Sequence, residues 1–307
     1  MTKIFKSNGT KMIVDILCLL LLSAALVTVN FFMEPHKRGF FCDDQTLMYP
    51  YIAHTVFSTS KVIILGFVFL FLIIIAEIFL GRKNRRQPLK LFYYNIPNWG
   101  FFSYHTGGYY VIGTLTTLLI GDVMKYFTGR LRPNFMELCN PSINCSLPIN
   151  QNRYITPEQF ECTSVYGDSA AKEARLSFPS NHASCVAFFG VFLICYLQSR
   201  MTSSILKIPK HLLQAALVLM ISFISMTRIS NYRHHWSDVA AGILIGSANA
   251  LITVFIMANL FKKDQPEKVE HDYQLDHEQQ RDIDNYIEDR NNNTINVYPK
   301  MDVEMII

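Results

Sequence analysis

The stretch LSFPSNHASCVAFFGVFLICYL, residues 176–197, decides the fold. A proline, two small polar residues and a histidine stand directly before a run that is almost entirely apolar. Polar capping residues followed by a long apolar run mark a helix that starts at a polar boundary and enters a hydrophobic medium. The rest of the chain has the same character. Of its 307 residues 50% are hydrophobic and 17% charged, below the roughly 25% charged share of soluble proteins. A membrane span needs roughly 20 apolar residues, because about 1.5 Å of rise per residue must cover about 30 Å of hydrocarbon. Six segments reach or approach that length: 12–33, 62–80, 106–124, 182–197, 212–227 and 239–261. The fourth and fifth are short, so their flanking polar side chains must snorkel to the interface. The first is longer than the apolar core of a signal peptide and lacks a small-x-small cleavage site before Phe31, so it is read as a retained span. The expected fold is all-α, an integral membrane bundle of six transmembrane helices.

Lys and Arg in the short connectors set its orientation. Segments 1–11, 81–104, 198–211 and 262–263 hold thirteen of them and no Asp or Glu, whereas 34–61 and 228–238 hold five. The positive-inside rule then places both termini in the cytoplasm; the long 125–181 connector crosses largely regardless of its charge. Cys42, Cys139, Cys145 and Cys162 all fall on the expected outer side, where disulfides form, and three pairings are open. Cys18, Cys185 and Cys195 lie within spans as small buried hydrophobes. Asn144, in "NCS", is an outer-side glycosylation sequon. Residues 264–307 carry twelve acids against four Lys or Arg and read as an acidic, disordered cytoplasmic tail, leaving 1–263 as the membrane domain.

The chemistry-bearing residues lie at span ends on the expected outer face. "GDVMKYFTGRLRPNF" closes the third span with Lys125, Arg130 and Arg132; Lys125 and Arg132, seven apart, share a face if the helix persists to Pro133. In the opening stretch, Ser180 or Asn181 caps the fourth span, and His182 falls in a first turn whose free N–H groups attract an anion. "TRISNYRHHWSDVAAG" joins the fifth and sixth spans. There Arg228 ends one helix, and His234 stands four residues before Asp238, the spacing at which the carboxylate accepts one imidazole proton and aims the other nitrogen outward as base or nucleophile. His235, three residues from Asp238, fits that role less well. Together these blocks supply three cations, backbone N–H groups, an acid and an oriented nucleophile. That set suits phosphoryl transfer, in which charge spreads over three oxygens. Two histidines and an aspartate also suit metal ligation, but three nearby cations would repel a divalent ion. The sequence has no Gly-rich nucleotide loop, which leaves water as the acceptor.

"KYFTGRLRP", "FPSNH" and "TRISNYRHHWSD" resemble, in order and spacing, the three signature blocks of the type 2 phosphatidic acid phosphatases: K-x6-RP, PSGH and SR-x5-H-x3-D. "RGFFCDDQTLMYP", residues 38–50, resembles the first outer connector of the animal lipid phosphate phosphatases. The resemblance covers residues 10–262. It implies a metal-independent phosphatase acting on phosphatidate, lysophosphatidate, sphingosine 1-phosphate and ceramide 1-phosphate from the outer or lumenal face, at the plasma membrane or in an internal compartment. His234 would attack phosphorus and form a phosphohistidine, oriented by Asp238, while His182 protonates the leaving alcohol. Lys125, Arg132, Arg228, Ser180 and the backbone at Asn181 would hold the phosphate. The expected partners are phosphorylated lipid substrates and membrane lipids, without nucleic acid, metal or cofactor; a homo-oligomer is a family-level expectation. Two positions depart from the pattern: Thr227 replaces a Ser and keeps its hydroxyl, and Asn181 replaces the Gly of PSGH. If that Gly serves for a positive φ, Asn is the residue best able to follow it; if it serves for close approach of phosphate, a side chain would crowd the site or add a donor. The alternatives are a catalytically weakened lipid-binding adaptor of the same family, and a transporter, against which stands the placement of the ionisable groups at span ends instead of mid-membrane.

Overall fold

Long apolar blocks with few interruptions become long helices, because a backbone without water must satisfy its own hydrogen bonds. The computed structural model describes residues 2–53, 55–83, 89–91, 94–261 and 281. The tail expected at 264–307 lies, apart from Arg281, outside the described residues. The long helices are α1 (Thr2–Phe32), α2 (Thr59–Lys83) and α3 (Asn98–Thr128), then α6 (Asn181–Arg200), α7 (Lys207–Ser230) and α8 (Trp236–Ile252), with short α4 (Phe135–Cys139) and α5 (Asp168–Glu173) between them. One wide π turn, Thr253–Met257, continues α8. Each matches one of the six apolar segments. The two read as short are longer than their apolar runs, with 20 residues in α6 and 24 in α7, so each can cross about 30 Å. Five of the six are both long and apolar enough to span a membrane. The exception is α3, whose 31 residues include three threonines at 114, 116 and 117, Asp122 and Lys125.

The bundle core explains that polarity. Helix α6 is the central element, burying Val186, Phe188, Phe189 and Phe192 against Tyr110 of α3 and Ile73 of α2. α8 lies against it through Gly242 and Gly246, a G-x3-G pair that permits close backbone approach. A Cβ on Gly246 would meet the Ser184 carbonyl oxygen at 2.0 Å, and one on Gly242 the Ser180 oxygen at 2.6 Å. Threonines 116 and 117 of α3 face α8, where Asn249 Nδ2 donates to Thr117 Oγ1 at 2.7 Å. At the opposite end from the site, Glu77 is buried and paired with Arg200 at 2.9 Å.

The connectors 33–58 and 129–180 build a small layer over the other end of the bundle. Strand β1 (Phe40–Phe41) pairs antiparallel with β4 (Tyr154–Ile155); β2 (Leu89–Leu91) and β3 (Tyr94–Ile96) form a separate antiparallel pair between α2 and α3, outside this layer. Phe40, Leu131, Phe135, Leu138, Ile155 and Phe160 make the layer's own core. Of the three open disulfide pairings, the structure has Cys42–Cys145 and Cys139–Cys162. Asn144, beside the first bridge, is exposed.

Candidate active site

Helix α3 does not persist to Pro133. It ends at Thr128, and Gly129 turns left-handed at φ 53° with the His36 carbonyl oxygen 2.0 Å from where a Cβ would stand. Arg132 therefore does not share a helix face with Lys125. It enters from the loop, fixed by its own N–H donating to Ala174 O at 2.9 Å. The turn after α7 is equally tight. Arg228 O accepts the N–H groups of both Arg233 and His234, at 3.1 and 3.3 Å, and Tyr232 adopts a left-handed φ of 53°, its ring stacked on Tyr49 at 4.5 Å. Held non-glycine strain of this kind concentrates at functional sites.

These turns bring six of the eight expected residues, Lys125, Arg132, Asn181, His182, Arg228 and His234, around one cavity of about 810 Å³. Ser180 and Asp238 stand behind it, both buried, with the Ser180 N–H donating to Asp238 O at 3.1 Å. One end of the cavity is cationic; the other runs between apolar side chains of α2 and α3, among them Val62, Phe67, Leu70 and Leu118.

The histidine–aspartate geometry corrects the sequence expectation. His234 Nδ1 lies 2.8 Å from the Ser177 carbonyl oxygen but 3.9 Å from Asp238 Oδ2. A carbonyl only accepts, so Nδ1 carries the proton, and Nε2 keeps its lone pair. Asp238 instead takes the backbone N–H of His235 at 2.9 Å, with His235 Nδ1 at 3.3 Å. Four-residue spacing counts only inside a helix, and α8 begins at Trp236, leaving both histidines before it, His235 in an extended conformation. The remaining valences of Asp238 go to Ser177 Oγ and to Arg130 Nη1, each at 2.6 Å. Asp238 thus supports His234 indirectly, by fixing the Ser177 segment that orients the ring.

Burial first, then the positive charges of Arg132, Lys125 and Arg228, hold the His234 imidazole well below its ordinary value of 6.5. Burial and charge together therefore favour its neutral form. Arg132 is paired with Glu173 at 2.9 Å, and the guanidinium holds the Glu173 carboxyl below its ordinary range. Ser180 holds the cap position of α6 without a side-chain capping bond, and its Oγ is buried without a partner among the described residues. The same is true of His182 Nε2 and of Nε on Arg132, Arg228 and Arg233. Buried polar atoms are nearly always satisfied, so a ring of orphaned ones at the cationic end fits an anionic group with several acceptor oxygens. No three or more His, Cys, Asp or Glu side chains gather as a metal site among the described residues.

Sequence reasoning named Arg130 only among the cations closing the third span, and assigned no role to Ser177, Arg233, Glu173 or Asp122. Arg233 lines the cavity, its guanidinium 4.5 Å over the Tyr51 ring and donating to Ile52 O at 2.9 Å. Its place directly before His234 was the one available signal. Asn181 has no positive φ; it is the first residue of α6. The backbone-conformation argument for a Gly there does not apply, and the side chain turns onto α3, where Nδ2 donates to Asp122 Oδ1 at 2.6 Å.

An α-helical membrane bundle carrying a cationic cavity at one end, with a buried histidine in it, defines the class. The chain belongs to the PAP2 superfamily, whose family model matches residues 106–262. A Drosophila melanogaster protein provisionally named phosphatidate phosphatase is 39% identical over 261 residues, covering 80% of this chain and 68% of that protein. Human phospholipid phosphatase 2 is 31% identical, covering 83% of this chain and 85% of its own length, and rat phospholipid phosphatase 1 is 30% identical over 83% and 88%. No solved structure matches the chain significantly.

Proposed function

We propose that the protein hydrolyses phosphate monoesters of lipids, without a metal ion and through a phosphohistidine. The observation that carries this is the single cavity that joins a cationic end, with orphaned donors and a neutral His234, to an apolar cleft between α2 and α3. A phosphate headgroup fits the first part and an acyl or sphingoid chain the second. Phosphatidate, lysophosphatidate, sphingosine 1-phosphate and ceramide 1-phosphate share that shape.

In the mechanism, Lys125, Arg132 and Arg228, with Arg233 as a fourth cation, bind the phosphate oxygens, and Ser180 Oγ completes the cradle. The His234 Nε2 lone pair forms a bond to phosphorus as the bond to the lipid alcohol oxygen breaks, and His182 gives that oxygen its proton. Water then loses a proton to His182 and attacks phosphorus, releasing orthophosphate and restoring neutral His234. The four cations disfavour a divalent metal at the same place. Asn181, the motive for the adaptor alternative, turns its amide onto Asp122, which supports an unobstructed cradle.

We further read six spans with both termini cytoplasmic, the site facing outward or into a lumen, and Asn144 glycosylated. The test of the chemistry is direct. Purified protein in detergent should release phosphate from phosphatidate in EDTA, and His234→Ala should abolish both release and acid-labile labelling of the chain by a phosphorus-labelled substrate. Strict dependence on Mg²⁺, or labelling that survives His234→Ala, overturns the reading.

A further inference from the structure

Lys125 faces a local rival for its charge. Asp122 lies three residues before it on α3, the spacing at which a carboxylate and an ammonium on one helix meet. Both residues line the cavity, so an Asp122–Lys125 pair would neutralise a cation that the phosphate needs. Yet among the described residues Lys125 forms no ion pair.

The reason lies on the two neighbouring helices. Asn181 Nδ2, from the first turn of α6, donates to Asp122 Oδ1 at 2.6 Å. Asn30 Nδ2, near the end of α1, donates to Asp122 Oδ2 at 2.9 Å. Each carboxylate oxygen is therefore claimed by a neutral amide. Gly121 makes the arrangement fit: a Cβ there would stand 2.2 Å from Asn181 Oδ1, so only a glycine leaves room for the amide to lie flat on α3. The amides satisfy the carboxylate without cancelling its charge, and they hold it toward α1 and α6.

We propose that Asn181 is a positioning residue which, with Asn30, restrains Asp122 and so keeps Lys125 free for the phosphate. It rests on the phosphate-site reading above. The side chain that departs from the PSGH pattern then serves the site by acting on its electrostatics, without touching the reacting atoms.

Asn181→Gly releases one carboxylate oxygen, which can turn to Lys125. Orthophosphate binding to detergent-solubilised protein, measured by calorimetry, should weaken by about tenfold, the order of change for losing one charge-assisted contact. KM for phosphatidate should rise by a similar factor while kcat stays within about twofold of the parent, since no reacting group is moved. Adding Asp122→Asn to Asn181→Gly removes the rival charge and should restore both constants. A merely structural role for Asn181 predicts the opposite, because the double variant loses a further helix contact. Unchanged phosphate affinity in Asn181→Gly, or no rescue by Asp122→Asn, overturns the inference. A parent protein that binds orthophosphate but releases none from lipid overturns the phosphatase reading alone, and the order of the three affinities still decides this one.

Discussion

At the scale of single residues, the site depends on which proton acceptor each polar group finds. His234 is oriented by a backbone carbonyl, Ser177 O, which no side-chain substitution removes. Its depressed proton affinity has a definite sign: the neutral form persists as pH falls through 6.5 and is lost only below it. Ring resonances of histidine-labelled protein, assigned by their loss in His234→Ala, should show this imidazole titrating below 6.5; a midpoint at or above that value contradicts the geometry. The same burial contributes to acid lability, because the unfolded chain takes up the proton first and stability falls as pH drops below the free imidazole value. Arg233 offers a second residue-level check. Its guanidinium is held over Tyr51 and by Ile52 O, and its Nε is buried without a partner among the described residues. Arg233→Gln should raise KM about tenfold and leave kcat within a few-fold, whereas an equal fall in kcat would place its contact in the transition state alone. Sequence spacing exposed Lys125, Arg132, His182, Arg228, His234 and Asp238 because each block is short. It misjudged the His234–Asp238 contact because that depends on where α8 starts, and one extended residue before Trp236 changes every i,i+4 relation.

At the scale of elements, the geometry of the candidate site rests on how closely α6 and α8 approach. Gly246 sets the closest approach, and Gly242, one turn nearer the site, stands over the Ser180 carbonyl. Gly246→Ala forces the two backbones apart and should cost about 1–3 kcal/mol, read as a lower midpoint of thermal unfolding in detergent. Gly242→Ala pushes on the turn that joins Ser180 to Asp238, so its loss of kcat should exceed what its unfolding midpoint explains. Equal activity in both variants at matched stability would refute the idea that this crossing sets the site. The six long elements were legible from apolar run length, since lipid leaves the backbone few alternatives. The end of α3 and the start of α8 were not: the first is met by the His36 N–H donating to Tyr126 O from 90 residues away, and the second follows an irregular turn in which Arg228 O takes the N–H groups of both Arg233 and His234, a pattern without helical periodicity.

At the scale of the whole molecule, the candidate site is a joint between a membrane bundle and the small layer built by the connectors. Lys125, His182 and Arg228 come from bundle helices, while Arg132 and the Ser177 carbonyl come from the layer, through Arg132 N to Ala174 O and Ser177 N to Arg130 O. That layer has its own buried core around Phe40, Phe135 and Phe160, and two disulfides closing separations of 103 and 23 residues staple it. Its pairing was illegible in the sequence, because β1–β4 and Cys42–Cys145 join positions more than 100 residues apart and four cysteines admit three arrangements. Each disulfide contributes about 2–4 kcal/mol, chiefly by restricting the unfolded layer. The bundle contributes its own hydrogen bonds within lipid and needs neither bridge. Treatment with a thiol reductant should therefore abolish phosphate release while leaving the far-ultraviolet helical signal in place, and reoxidation should restore activity. Cys139→Ser with Cys162→Ser should show the same split without a reductant. Full activity after complete reduction would mean that Arg132 and Ser177 are positioned by the bundle alone, and that the layer is only a cover.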